Sequence, residues 1–274
     1  MCLLLTACNS YNKVLKSADY EYKYEVAKEC YFSGEYNRAQ RLFGDVLSIM
    51  KGSLRAEESL FLLGMATYGN RDYETASHYF KKYYQSYHKG IYVEQARYYS
   101  GLSLYEGTLD YRLDQSNTYN AIGEFQQFLD QYPTTPLKPA TQSMIYALQD
   151  KLVQKELGAA QLYYDLGTYV GNNSRAGGSN YESCIVTCEN TLRDFPFANP
   201  ERREELSLLL LKARYHLAKH SVQSRKLERY RAAIDEYYGF SNEFPESKNM
   251  KEATNIFEKC SRVVKAGGYD EEQE

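Results

Sequence analysis

Tryptophan is absent from this 274-residue chain, and so is any long apolar run beyond its first residues. No later stretch approaches the ~18 apolar residues of a membrane span, and the mean hydropathy is −0.63, so no membrane-spanning helix is expected. An excess of charge is missing too. With 33 Lys and Arg against 36 Asp and Glu, the net charge is −3, which leaves no broad basic face for nucleic acid. Strand-like alternation is lacking. So is a glycine-rich phosphate loop, because Gly177-Gly178 sits among Asn and Ser as in a flexible insert.

Histidine is scarce, at four residues. His216 and His220 stand at the spacing of zinc-binding helices, but Leu217 occupies the place where a metalloprotease needs Glu. The pair reads as solvated or groove-lining, and no metal is expected. No Ser/His/Asp or Cys/His motif context appears, so neither an enzyme nor a cofactor is expected. The six cysteines do not form a disulfide framework. Cys184 and Cys188 lie four apart in a helical stretch, which suits side-by-side packing better than a strain-free bridge. Cys30 and Cys260 are single residues in helical patterns and read as small buried hydrophobes.

What the chain has is tyrosine, 29 residues of it, a load suited to a long ridged surface that is half buried and half wet. The tyrosines fall in repeats. Tyr36/Ala39/Phe43 recurs as Tyr73/Ala76/Phe80, and the preceding segments keep a 37-residue period through three columns: Ala27, Gly64 and Gly101; Tyr24, Phe61 and Tyr98; Tyr31, Tyr68 and Tyr105. Later units carry another marker. Ala121 and Ala233, with Cys184 in the same slot, each precede an aromatic-proline stop at Pro133, Pro245 and Pro196. The pattern resembles the tetratricopeptide repeat: helix A with a small residue at its middle, a turn, then helix B. Small residues let A and B approach closely, large ones fill the space between repeats, and the stack supplies a core that no unit has alone.

The expectation is therefore an all-α, right-handed α-solenoid of about five helix pairs, near 19–52, 56–89, 93–136, 140–198 and 202–248. A terminal helix follows at 248–265 and a disordered acidic tail at 266–274. Three units are stretched between their helices, by EGTLDYRLDQSNT, VGNNSRAGGSN and HSVQSRKLE.

The N-terminus adds a processing signal. Leu5-Thr6-Ala7-Cys8 resembles the bacterial lipobox, whose cysteine receives lipid and becomes the new N-terminus. A basic n-region and a longer apolar stretch are missing before it, so Met1 reads as a late start with the signal lying upstream. Residues 1–7 are then a signal remnant and 8–18 a lipidated linker. Lipobox, repeat count and stretched third unit together resemble the BamD/ComL family of outer-membrane lipoproteins of the β-barrel assembly machinery. The segments LDQSNTYNAIGEFQQFLDQYPTTP, DKLVQKELGAAQLYYDLGTY and ERYRAAIDEYYGFSNEFPES carry the resemblance. Cys in place of Ala in the fourth unit, with its Gly/Asn/Ser insert, is a departure.

The resemblance implies a scaffold on the periplasmic face of the outer membrane. Its partners would be the periplasmic domains of a BamA-type barrel subunit, unfolded outer-membrane clients and other assembly lipoproteins. Two readings of the aromatic columns stay open. In one, Tyr31, Tyr68 and Tyr105 line a groove for an extended peptide over Tyr24, Phe61 and Tyr98, with Lys28, Met65 and Leu102 between them. In the other, all of them pack helix A against the next repeat. The charged connector Ser221–Arg229 offers Arg225, Lys226 and Arg229 as exposed docking cations. A glycan-binding lipoprotein and an adaptor in envelope or cell-division assembly are the alternatives.

Acylation at Cys8 leads to the first expected outcome. With an upstream signal restored, the parent protein partitions with membranes, because more than one acyl chain anchors stably, and Cys8→Ser releases it. Fractionation of the two proteins checks this; a Ser variant held as firmly as the parent refutes the lipobox reading.

Overall fold

The computed structural model describes residues 11–50, 52–169 and 179–269. Cys8 and the lipobox, Gly177-Gly178 and the last five residues of the acidic tail lie outside them. Among the described residues the chain is all helical. A short helical segment at 11–16 (α1) precedes α2 (Tyr20–Phe32), α3 (Tyr36–Ile49), α4 (Leu54–Gly69), α5 (Tyr73–Ser86), α6 (Val93–Glu106), α7 (Ser116–Gln131), α8 (Lys138–Leu166), α9 (Asn180–Asp194), α10 (Pro200–Lys219), α11 (Gln223–Glu243) and α12 (Met250–Lys265). From α2 to α7, and again from α9 to α12, each helix packs on the next in antiparallel hairpin fashion, the arrangement the repeat pattern predicts.

Helix ends follow local chemistry. Side chains of Asp19, Ser53, Asp72, Ser179 and Asn199 accept backbone N–H bonds at the starts of α2, α4, α5, α9 and α10, satisfying donors that a helix cannot satisfy itself. At the other ends Tyr132, Phe195 and Phe244 stand before prolines with φ/ψ of −124°/65°, −124°/65° and −127°/59°. The following proline ring disfavours the helical region for the residue before it, so α7, α9 and α11 stop alike. The turns α2–α3 and α4–α5 are also alike. Gly34 and Arg71, one period apart, both adopt left-handed φ, +76° and +62°, and the next N–H in each reaches back to Cys30 O (2.8 Å) or Thr67 O (3.2 Å).

The chain divides into two compact units, Met1–Leu148 and Gln149–Glu274, with the boundary inside α8. In the first, Ala27, Ala39, Ala76 and Ala121 are fully buried against Phe43, Phe80 and Phe125. Gly64 shows why the small column is needed: a Cβ there would lie 2.8 Å from the Phe80 ring, and one at Gly101 would lie 2.6 Å from Phe125. Helices A and B meet at these points. In the second unit Cys184 and Cys188 are buried with Val153, Ala160, Leu206 and Leu210, so Cys184 fills the alanine slot as a small apolar group. Leu211, Tyr230, Ala233, Phe240 and Cys260 form a further cluster. All four described cysteines are free thiols.

Two expectations about connectors need correction. The stretch 8–18 contains α1, whose Val14 is buried against the first-unit core with Tyr11 and Leu15 beside it. The Ser221–Arg229 connector is mostly helix, since α11 begins at Gln223. Its charges are spaced so that Lys226 falls on the inner face and Arg225 on the outer one, an amphipathic pattern that a charge count conceals.

Gly64→Leu is expected to destabilise the protein by about 1–3 kcal/mol or more. Phe80 cannot yield, because its ring also packs on Phe61 (5.8 Å) and Tyr99 (5.5 Å between centroids). Thermal unfolding followed by circular dichroism checks it, and an unchanged melting temperature contradicts the close approach.

Candidate functional site

The columns expected to line a groove lie in the first unit and separate by burial. Tyr24 and Phe61 are 0% and 7% exposed, so they support the surface from behind and offer little to a ligand. Tyr98 is half-buried, and its ring contacts Tyr99 (5.6 Å), Phe128 (5.7 Å) and Phe125 (6.3 Å). Tyr31, Tyr68 and Tyr105 are all half-buried, as are Lys28, Met65 and Leu102 between the columns. Each tyrosine of the outer column leans on the hairpin it closes. Tyr31 lies 5.9 Å from Tyr36, Tyr68 lies 5.4 Å from Tyr73 and 5.8 Å from Tyr99, and Tyr105 lies 6.4 Å from Phe125. The arrangement thus has features of both readings: each ring is packed against neighbouring rings yet keeps part of its surface accessible.

Electrostatics hold the inner end in place. The buried Tyr24 hydroxyl donates to the Glu58 carboxylate. Lys28 Nζ donates to the Tyr24 oxygen at 3.4 Å and pairs with Glu58 at 3.4 Å. Burial would lower the Lys28 pKa, but Tyr24 and Glu58 outweigh it and hold the ammonium above the ordinary lysine value. Burial, followed by the bond to Glu58, raises the Tyr24 phenol. At Tyr68 burial pushes the phenol up to about 12, aided by the Glu106 carboxylate and neighbouring phenols. These phenols are neutral hydrogen-bonding groups near neutral pH, suited to holding a ligand and poorly suited to general-base work.

Sequence reasoning missed three contributors. Arg55 lies over the Tyr24 ring at 4.5 Å and pairs with Glu21 at 3.0 Å. Glu58 joins α4 to α2. Tyr92 stacks on Phe61 at 4.4 Å and 7°, and it comes from an inter-repeat turn where no column marks it. The long-range partners of Arg55 (Glu21) and of Glu58 (Lys28 and Tyr24) have no local signal either.

The expected docking cations behave differently from one another. Arg225 is exposed, 3.9 Å from the exposed Glu228. Lys226 is 6% exposed, and Arg229 pairs with Glu182 and donates to Ser221 Oγ, each at 2.7 Å. A cluster of three exposed cations is therefore not formed. His216 is half-buried, stacked on Tyr181 at 5.4 Å and edge-on to Tyr164 at 5.6 Å. Burial lowers its pKa, and His220, Lys219, Lys212 and Lys259 add to the effect. Among the described residues no group of three or more metal-capable side chains gathers.

Period-matched helix hairpins, small residues at the crossings and a half-wet tyrosine face define a helical-repeat scaffold of the tetratricopeptide kind. The chain belongs to the YfiO family of outer membrane lipoproteins, whose family model matches residues 17–183, more than half of its length; this is the BamD/ComL family that the sequence resembles. No curated protein matches the chain. Membership places it at the outer membrane as a lipoprotein of the assembly machinery, and among the described residues no helix is long and apolar enough to cross a membrane.

If the outer column lines a peptide groove, replacing Tyr68 with Ala weakens binding of a C-terminal outer-membrane-protein peptide by about 1–2 kcal/mol, with only a small fall in melting temperature. Tyr24→Ala, which empties a buried site, is expected to cost about 3–5 kcal/mol of stability. Calorimetric titration and thermal melts on both variants check the contrast. A Tyr68 variant as unstable as the Tyr24 variant assigns the outer column to the core.

Proposed function

We propose that the chain is a lipid-anchored, non-catalytic periplasmic scaffold that binds extended segments of unfolded outer-membrane proteins and docks on a BamA-type barrel subunit. The first unit holds the client. The observation that carries this reading is the half-buried column Tyr31, Tyr68 and Tyr105, which lies wholly inside the family match at 17–183. Held by their neighbours yet partly accessible, such rings give an extended peptide apolar contact at low entropic cost, and their hydroxyls can meet its backbone.

The second unit docks the barrel subunit. With Lys226 buried and Arg229 engaged, the better surface is an open groove of ≈ 650 Å³ between α11 and α12, where Ile234, Tyr238, Phe257 and Val264 are joined by Arg262 and Lys265. Aromatic residues beside arginine are the composition enriched at protein–protein interfaces. Tyr238 on this groove is half exposed.

Tyr238, 50% exposed, allows a test that spares the fold. Tyr238→Ala combined with Arg262→Glu is expected to reduce co-purification of the barrel subunit from mild detergent extracts by tenfold or more, about 1.4 kcal/mol, at unchanged melting temperature. Arg225→Glu is expected to have little effect. Undiminished co-purification by the double variant overturns this docking face.

A further inference from the structure

The hairpin turns of the first unit form one continuous edge. Gly69, at the end of α4, packs on Tyr36, where a Cβ would fall 2.7 Å from the ring. Gly107, just after α6, meets Tyr73, where a Cβ would fall 3.3 Å from that side chain. The turns at 33–35, 70–72 and 107–115 therefore stand in a row. Phe32, 75% exposed, lies at one end, and the 107–115 loop at the other presents Leu109 and Leu113, 50% and 54% exposed.

The loop is fixed in this form. Gln115, 3% exposed, donates from Nε2 to the carbonyls of Asp110 (2.8 Å) and Leu113 (3.2 Å), and its Oε1 accepts from Thr118 Oγ1 (2.7 Å). Asn117 Nδ2 donates to Gly107 O at 3.3 Å. A buried amide thus holds two leucines with about half of each residue's surface in water.

The lipid attachment points to what covers them. The Tyr11 hydroxyl donates to the Arg38 carbonyl at 3.3 Å, in the first turn of α3, and the Arg38 guanidinium lies 5.1 Å over its ring. The described chain thus begins beside this same edge. Cys8 is three residues from Tyr11, a span of at most about 11 Å, and the 107–115 loop is two hairpins along, about 20 Å. The opposite edge also exposes Ile49, Leu54 and Ile91, but it is a helix length farther from the anchor.

We propose that the hairpin-turn edge of the first unit rests on the lipid surface, with Leu109, Leu113 and Phe32 entering the headgroup interface. This rests on acylation of Cys8. The turns carry Glu35, Asp72, Asp110 and Asp114 against Arg71 and Arg112, so attraction to anionic lipid does not draw the edge down. The contact is apolar and forms on zwitterionic bilayers.

The test uses the full lipidated chain in zwitterionic vesicles. A polarity-sensitive fluorophore is placed on Leu113→Cys or Ile91→Cys, and quenching is read from lipids spin-labelled in the upper acyl chain. The buried thiols Cys30, Cys184, Cys188 and Cys260 compete little for the label. Quenching severalfold stronger at 113 than at 91, with blue-shifted emission at 113, is the expected result, unchanged when anionic lipid is added. A protein that floats with vesicles yet shows equal quenching, none at 113, or more at 91 overturns the proposal and leaves acylation standing. A protein that does not float, with Cys8 unmodified by mass spectrometry, overturns both.

Discussion

Contact between a bare backbone position on one helix and a phenyl ring on the next sets the spacing of the first unit. Gly64 against Phe80 and Gly101 against Phe125 leave no room for a methyl group, so α4 meets α5, and α6 meets α7, at a distance only glycine allows. The rings then reach beyond their own hairpins: Phe80 packs on Tyr99 of the following helix, and Phe125, which also touches Tyr98 and Tyr105 of its partner α6, shares a buried cluster with Ile145 and Leu148 of α8. One close approach thus transmits position to the next hairpin, and the half-buried tyrosine column follows because its members sit one turn beyond the crossing.

Buried tyrosine adds a second kind of tie. Tyr24 on α2 bonds Glu58 on α4, Tyr83 on α5 bonds Glu57 on α4, and Tyr84 on α5 bonds Glu124 on α7. A buried phenol must find an acceptor, and in these three the acceptor is a carboxylate on another helix. These bonds are directional where ring packing is not, so they fix the register between helices that the apolar contacts only bring together. They also raise the phenol pKa at all three sites, after the larger effect of burial.

The repeat columns were legible because one period of 37 residues carried small, aromatic and turn positions together, and Cys184 could be placed by the proline twelve residues on. The stop signals were equally local: a proline constrains the residue before it wherever the chain goes next. What escaped was set by distant partners. Lys226 looks like a loop cation until α11 turns it inward, and Arg229 finds Glu182 47 residues away. Tyr92 belongs to no column, yet it stacks on Phe61. At the site, the sequence identified the outer tyrosines but could not separate them from Tyr24 and Phe61, since one helical face carries both rows and burial depends on the neighbouring hairpin.

The four free thiols bear on how the protein reaches its folded state. The periplasm is oxidising, yet Cys30, Cys184, Cys188 and Cys260 are buried as thiols. Each occupies space that fits one small apolar group, among residues such as Val153 and Leu206 for the central pair. A newly exported, unfolded chain exposes all four to oxidation, and a bond formed then must be reduced before the second unit can close. Packing therefore competes with oxidation, and the rate at which the hairpins assemble decides how much of the chain needs repair.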